Sequence, residues 1–211
     1  MNTPLHDAPP NDNAAPTPRG RQTREKLIDA ARGALIEGEG AAEITDIARR
    51  AGVSAGLAYH HFGSKDGLLS AVVEEFYDRY VRVANTHFRG ETWAQREAQR
   101  VQAVVRFFID EPFTRTLFGP LGRSSAVVHA ESRCMADLVA RGARNIAQGQ
   151  ADGDLPRQAD PQIAAAFVLG GLRQAMTLAL LDDPNPDAEQ LACNVWILIA
   201  QSLGLRVGSK S

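Results

Sequence analysis

Apolar residues recur at helical spacing along most of this chain, and no segment shows the strict alternation that marks a half-buried strand. The first such stretch, residues 22–37, carries an apolar stripe and ends where Gly38 and Gly40 interrupt it. Two shorter stretches of the same kind, 44–51 and 55–61, come next. The pattern predicts closely spaced short helices in the first third of the chain.

Longer helices are predicted for the rest of the chain. One begins after Ser64, a residue type that commonly caps a helix N-terminus. Beyond residue 90 the periodic segments predict helices over 92–109, 113–121, 125–150, 161–181 and 186–205. An inward stripe is expected on the helix that begins at Ser125, from Val128, Met135, Leu138, Val139 and Ile146. The fold is therefore predicted to be all-α.

The first 18 residues differ from everything that follows them. Residues 1–18 are rich in Pro, Asn, Asp and Ala and lack periodicity, so we expect this tail to be disordered. They also lack the basic and apolar regions of a signal peptide. No apolar run is expected to be long enough to cross a membrane. A cytoplasmic protein with no membrane partner is the resulting expectation.

The composition limits how this chain can bind nucleic acid. Its 211 residues, 44% of them hydrophobic, suffice for one or two compact domains. The formal net charge is −2, whereas a domain that holds nucleic acid over its whole surface is usually basic. Any contact with DNA must therefore be local.

The cysteines give no sign of a metal site or a disulfide framework. Cys134 and Cys193 lie far apart and form no CxxC motif or Cys/His cluster. We therefore expect two free thiols, no metal and no cofactor.

The stretch from Ile44 to Phe62 has the spacing of a helix-turn-helix. Ala48 is small enough for a second helix to pack closely against the first. Gly52 tolerates a left-handed turn, and the apolar Val53 seals the corner. The second helix can then present its N-terminal side chains to base edges in a major groove.

The same region resembles the tetracycline-repressor (TetR) family, in register from the first helix into the fourth. The matching residues are Ala30, Ala31, Gly38, Asp46, Ile47, Ala48, Ala51, Gly52, Val53, Ser54, Gly56, Tyr59, His61, Phe62, Lys65, Leu68 and Leu69. The resemblance implies a three-helix DNA-binding domain at 19–66, with its motif at about 43–62. It also implies a helical effector-binding and dimerisation domain at 67–207. Beyond about Tyr80 the likeness is one of architecture alone.

The resemblance also implies which residues contact DNA. These are Arg24, Thr45, Ser54, Ala55, Gly56, Leu57, Tyr59, His60, His61 and Lys65. Arg24, Tyr59 and Lys65 are expected to contact phosphates, which position the protein, while base contacts specify the sequence.

Some positions near this motif modify that expectation. Arg19 and Arg21 are expected to add contacts as a basic arm. Glu43 stands where the family often has Thr or Ser, and its carboxylate would repel a nearby phosphate. Leu57 replaces a frequent Thr and is expected to be able to touch a thymine methyl group.

Aromatic and soft polar residues of the second half are candidates for an effector pocket, as in family members of this shape. They are Phe107, Phe108, Phe113, Phe118, Cys134, Arg173 and Met176. Any one of them is more often plain core, but ligand sites are mostly apolar with a few polar groups. The last two segments, 164–181 and 193–205, are more apolar than solvent-facing helices need. We expect them to pack against a two-fold copy as a four-helix bundle.

These features predict a sequence-specific DNA-binding transcriptional regulator rather than an enzyme. It is expected to be a homodimeric repressor that binds an inverted-repeat operator and is released by a small apolar or amphipathic effector. One alternative is a DNA-binding or partner-binding module without an effector. The other is an α-helical enzyme that uses His129 or Cys134, although no nucleophile–base–acid set follows from their spacing.

Overall fold

A computed structural model describes residues 17–206, and within that range the chain is built from helices without strands. The nine helices are α1 (Pro18–Glu37), α2 (Ile44–Ala51), α3 (Ala55–Phe62), α4 (Lys65–Ala84), α5 (Trp93–Asp110), α6 (Phe113–Phe118), α7 (Ser125–Ala151), α8 (Pro161–Asp182) and α9 (Ala188–Ser202). A 3₁₀ turn, Leu121–Arg123, joins α6 to α7. The all-α prediction is confirmed. The predicted disordered tail lies outside the described residues, except for its last two.

Most helix bounds lie close to the prediction, and the differences have local causes. α1 begins at Pro18 rather than at residue 22, because Thr17 caps it by accepting a hydrogen bond from Gly20 N at 3.1 Å. Proline at the first helical position supports the same early start. α6 stops at Phe118 instead of continuing to residue 121, and the 3₁₀ turn follows. α9 ends at Ser202, before Gly204, which has a positive φ of 78°.

The first three helices form one small cluster around a shared core. Leu27 and Leu35 of α1, Ile47 of α2 and Ala58 of α3 are all fully or almost fully buried in it. Ala58 is the only buried residue of α3. α3 therefore turns one narrow apolar edge inward and leaves the rest of its surface to solvent.

The fourth helix joins this cluster to the rest of the chain. α4 begins at Lys65, directly after α3, and packs against α1, α5 and α7. It runs without a break past residue 66, where the family resemblance implies the boundary between domains. Phe76 of α4 is buried at the centre of an aromatic cluster whose other rings come from α5 and α6. A rigid element thus runs from the helix-turn-helix into the larger helical body.

The inward face of α7 differs by one position from the prediction. Val127 is fully buried, whereas Val128, placed inward by the sequence analysis, is 45% exposed. Leu138 and Ile146 are buried as expected. The helix turns so that Val127, Ala130 and Glu131 face the core, because Glu131 has partners there on two other helices.

The expectation that no apolar run could cross a membrane is wrong on length and composition. α8 has 22 residues and a mean hydropathy of 1.6 over its most apolar window, enough to span a bilayer. Its inner side packs against α7 and α9, where Leu172, Met176 and Leu180 are buried. Its outer side carries large apolar side chains that are exposed to solvent. Two apolar faces on one helix therefore account for its hydropathy.

Candidate nucleic-acid interface and ligand cavity

The turn between α2 and α3 has the geometry that a helix-turn-helix requires. Gly52 adopts a left-handed conformation (φ 71°, ψ 32°), which an L side chain would strain. Ser54 then caps α3, with its hydroxyl accepting a hydrogen bond from Leu57 N at 3.2 Å. The Ser54 hydroxyl oxygen thus caps α3. If the hydroxyl also contacts DNA, it does so while it accepts this hydrogen bond.

The exposed side of α3 carries most of the predicted contact residues. Leu57 and Tyr59 are 36% and 47% exposed, so this short helix presents two large side chains to solvent. Gly56 and His60 are also exposed, and His61 is half-buried. Thr45 lies exposed on α2, the preceding helix. The structure places these residues on the outer surface of the cluster, and their contacts with DNA remain a prediction.

Arg24 of α1 reaches the far end of α3. Its guanidinium lies 5.3 Å from the ring centroid of Phe62, a cation–π arrangement. Burial lowers the pKa of the adjacent His61, and the positive charges of His60 and Arg24 act in the same direction. His61 is therefore biased towards its neutral form, in which it accepts as well as donates hydrogen bonds.

Acidic side chains pair with several cations of this small domain. Lys65 Nζ lies 3.0 Å from Glu43 Oε1, and Arg50 lies 2.7 Å from Glu37 Oε2. Arg49 is paired with Asp46 at 2.8 Å. Lys65, the predicted phosphate contact, is therefore already held by the acid that replaces the usual cap of α2, and Glu43 makes no side-chain capping bond.

The predicted pocket residues pack into core rather than around a large void. Phe107, Phe108, Phe113 and Phe118 surround Phe76, with ring centroids 5.5 to 6.3 Å from its own. Only a void of about 10 Å³ remains beside Phe108, Phe118 and Arg173. Met176 is fully buried and Cys134 is half-buried. The aromatic rings fill the space that they were expected to enclose.

A mostly apolar cavity lies between α4, α5, α7, α8 and α9, and none of the seven predicted residues lines it. Its volume is about 270 Å³. Apolar side chains from all five helices form most of its wall, including Val101, Leu138, Ile146, Leu169 and Ile199. Sequence reasoning missed it because these residues look like ordinary core positions on five separate helices.

Polar side chains gather on one part of the cavity wall. Glu97 of α5 is ion-paired with Arg100 one turn later and accepts a hydrogen bond from Asn145 of α7 at 3.0 Å. Burial raises the pKa of Glu97, against the opposing effect of Arg100. Tyr80 and Arg141 also line this cavity. The sequence feature that could have indicated this polar region is the pair Glu97 and Arg100, two charged residues on the inner side of the amphipathic helix α5.

A second polar network ties α4 to α7 and α8. Glu131 accepts a hydrogen bond from Tyr77 at 2.6 Å and two from Arg173, at 2.7 and 3.0 Å. The Arg173 guanidinium also stacks over Phe118, 4.5 Å from its ring centroid. Arg173, predicted as a pocket residue, thus satisfies a buried carboxylate.

The residues considered for catalysis lack the surroundings of a catalytic group. Burial raises the pKa of Cys134 to about 11, the opposite of what a nucleophilic thiol needs. His129 is exposed, with its Nδ1 2.7 Å from the carbonyl oxygen of Ser125 on its own helix. Among residues 17–206, no group of three His, Cys, Asp or Glu side chains is arranged to hold a metal ion.

Comparisons with known proteins agree with this arrangement. Residues 27–72, which cover α2, α3 and parts of α1 and α4, match the family model for bacterial regulatory proteins of the tetR family. The HTH-type transcriptional regulator BetI 1 of Chromohalobacter salexigens is 39% identical over 98 residues, which cover 44% of each chain. The alignment thus spans less than half the length of that relative.

Solved structures extend the likeness to the whole helical body. SmeT, the repressor of a Stenotrophomonas maltophilia multidrug efflux pump, superposes with a TM-score of 0.70 at 20% identity, covering 90% of this chain and 96% of that one. FadR from Bacillus subtilis, solved in complex with stearoyl-CoA, gives 0.71 at 18% identity, covering 84% and 98%. At a sequence identity of 18 to 20%, these two structures show that the fold is shared and no more than that. Residues 27–72 thus match the DNA-binding domain of the TetR family of bacterial regulatory proteins, and the chain as a whole shares the fold of these solved structures.

Proposed function

We propose that this protein is a cytoplasmic, homodimeric transcriptional repressor without enzymatic activity, which binds an inverted-repeat operator and releases it when a small molecule occupies the helical body. The observation that carries the proposal is the exposed surface of α3. A short helix anchored by one buried residue, and bearing exposed Leu57 and Tyr59, is shaped to enter a major groove.

The apolar outer face of α8 supports a dimer. Ile163, Phe167, Leu178 and Leu181 are 58 to 71% exposed and recur at intervals that place them on one side of the helix. An apolar surface of this kind typically marks an interface. Gly170 and Gly171 interrupt the row with exposed backbone, so that two such helices can approach closely. A copy of α8 and α9 would complete a four-helix bundle.

The position of the cavity supports control by a ligand, and it disfavours the alternative of a module without an effector. The last turns of α4, at Tyr80, Val81 and Ala84, form part of its wall. The first residue of α4, Lys65, comes soon after the recognition helix α3. At a rise of 1.5 Å per residue, Lys65 lies about 22 Å from Tyr80 along α4. A ligand that pushes one end of α4 moves α3, and it shifts the DNA equilibrium only if it prefers one of the two arrangements.

The test is a fluorescence-anisotropy titration against the promoter DNA that flanks the protein's own gene, at several salt concentrations. Tyr59→Phe and Lys65→Ala remove one expected phosphate contact each, so both should weaken binding. Lys65→Ala should also lower the magnitude of the salt dependence by about one unit of log K against log salt. Arg144→Ala, an exposed cation of α7, is the matched control and should leave binding unchanged.

Each outcome of this titration has a defined meaning. Specific wild-type binding that falls in both variants but not in the control supports the proposal. If neither this promoter nor a DNA selected from random sequences binds better than unselected DNA, the proposal of a DNA-binding regulator is wrong.

A further inference from the structure

Three residues that line the cavity, Tyr80, Arg100 and Arg141, carry hydrogen-bond donors without protein partners. Arg100 donates through Nε to Ala84 O at 2.7 Å and through Nη1 to Glu97, whereas Arg141 donates through Nε to Asp137 at 2.7 Å. Within residues 17–206, no acceptor is bonded to Nη2 of Arg100, to either Nη of Arg141, or to the hydroxyl of Tyr80. Polar groups on a cavity wall need a partner, from water or from a ligand.

These donors belong to one part of the cavity wall. Asn145 bonds to Glu97, which in turn pairs with Arg100. Arg141 precedes Asn145 by four residues on α7, which places the two side chains on one helix face with their Cβ atoms about 6 Å apart. Arg100 is thus paired with Glu97, while Arg141, which lines the same cavity, is paired with Asp137 one turn before it on α7.

The charge of this polar region favours an anion. Among the residues that line the cavity, Arg100 and Arg141 carry positive charge and Glu97 carries the only negative charge. An ammonium group that paired with Glu97 would meet the Arg100 guanidinium beside it. A carboxylate can accept from the open nitrogens of both arginines and from the Tyr80 hydroxyl, and arginine suits a planar carboxylate well.

The rest of the wall sets the size and polarity of the ligand body. It is formed by aliphatic side chains such as Val101, Val104, Leu138 and Leu172, together with the indole of Trp93. An apolar cavity of about 150 Å³ accommodates benzene, so by proportion about 270 Å³ accommodates roughly eleven non-hydrogen atoms. A short aliphatic chain or one ring with a short arm fills that space.

We propose that this cavity binds a small monocarboxylate whose apolar body has about eight carbon atoms, with the carboxylate held by Arg100 and Arg141. The proposal rests on the proposed function only in treating the ligand as an effector. Arg141 is the more exposed of the two, whereas Arg100 is held by Ala84 and Glu97. The proposed carboxylate would accept hydrogen bonds from both arginines.

Three probes of equal chain length test the headgroup. Octanoate, octan-1-ol and octylamine are titrated by calorimetry into the full-length protein near neutral pH, without DNA. Octanoate should bind at least about ten-fold more tightly than either of the others, since an arginine–carboxylate contact adds a charge-assisted bond.

One variant and its matched control locate the carboxylate. Arg141→Gln removes a guanidinium whose described ion pair, with Asp137, is exposed, so the fold should survive. It should weaken octanoate about ten-fold and leave octan-1-ol unchanged. Arg144→Gln makes the same charge change on the same helix, outside the cavity, and should leave both affinities unchanged.

Several results would overturn the proposal. They are equal or tighter binding of the alcohol or the amine, unaltered octanoate binding in Arg141→Gln, and no binding of octanoate up to about 1 mM, the weak end of specific affinity. The DNA titration is independent of these measurements. Operator binding without octanoate binding would contradict this proposal but not the proposed function. Octanoate binding that depends on Arg141 but leaves operator affinity unchanged would support the site and contradict release of DNA by the ligand.

Discussion

At the scale of single residues, Glu43 has two effects on the DNA-binding surface. It occupies the capping position of α2 without making a capping bond, and its carboxylate holds Lys65 Nζ at 3.0 Å. In the proposed complex with DNA, a phosphate would compete with Glu43 for this lysine and would also be repelled by the carboxylate. Because both groups are largely exposed, the pair itself adds little stability. Its main consequence is therefore for binding.

Replacing Glu43 should strengthen DNA binding. We expect Glu43→Gln to raise operator affinity by about three- to ten-fold at low salt, since Lys65 is released and one repulsive charge is lost. The gain should shrink as salt is added, which anisotropy at several salt concentrations would reveal. Glu39→Gln removes an exposed charge from the same domain and should change affinity less. Equal affinities of Glu43→Gln and wild type would mean that Lys65 is not a phosphate contact.

The environment of Cys134 predicts that its thiol reacts slowly with alkylating reagents. Burial raises its pKa to about 11, so at pH 8 only about one molecule in a thousand carries the reactive thiolate. In a Cys193→Ser variant, iodoacetamide should therefore modify native Cys134 far more slowly than the same thiol in urea, as followed by mass spectrometry. The native rate should climb as the pH approaches 11. Equal rates in the native and unfolded chains would show that the thiol is not shielded.

At the scale of elements, the sequence predicts boundaries well where the signal is local. α2 has the predicted bounds, because Gly52 can end it in a left-handed turn, and Ser64 caps α4 as expected. α1 was predicted too short, because its cap lies at Thr17, in a segment whose composition indicated disorder. Such signals need only neighbouring residues, so they can be read without a structure.

The cavity between α4, α5, α7, α8 and α9 shows which features local sequence signals cannot predict. A row of phenylalanines indicates an aromatic cluster, but whether the rings enclose a void depends on how Phe76 of another helix fits among them. The polar part of the real cavity joins Glu97 to Asn145, 48 residues apart. No spacing within one helix could reveal that neighbour. Exposed α3 residues were easier to predict, because the motif fixes their places relative to Gly52.

The network that joins α4, α7 and α8 predicts an element-scale effect on stability. Glu131→Gln keeps the shape of the side chain but removes the negative charge to which Tyr77 and Arg173 donate hydrogen bonds. We expect it to lower the free energy of unfolding by about 1–3 kcal/mol. Urea denaturation measures this change. Glu74→Gln, which breaks an exposed pair with Arg133 on the same two helices, should cost less than about 1 kcal/mol. Equal costs would mean that the buried network adds nothing.

At the scale of the whole molecule, affinity for DNA must come from geometry more than from charge. The chain has a net charge of −2, and several cations near α3 are paired with acids. One copy therefore offers few free positive charges to the DNA backbone. In the proposed dimer, two copies would present α3 to successive major grooves, about 34 Å apart, and would double the contacts of one copy. The effective concentration of the second copy would then supply the affinity that one copy lacks.

This dependence on two copies predicts the behaviour of an interface variant. Phe167 is 69% exposed in the middle of the apolar face of α8, so Phe167→Glu would bury two carboxylates against apolar side chains if the dimer formed. We expect a monomer by sedimentation at micromolar concentration. We also expect affinity for an inverted repeat to fall to that for a single half-site.

Val128→Glu provides the comparison, because it places the same charge on another exposed apolar residue, on α7 rather than on α8. It should remain dimeric and bind the inverted repeat as the wild type does. Since Phe167 lies on neither α3 nor α4, its effect on DNA binding can arise only through the partner copy or through the fold. An unchanged helical circular dichroism spectrum would exclude loss of the fold. A Phe167→Glu protein that stays dimeric would place the interface elsewhere and leave the apolar face of α8 without an explanation.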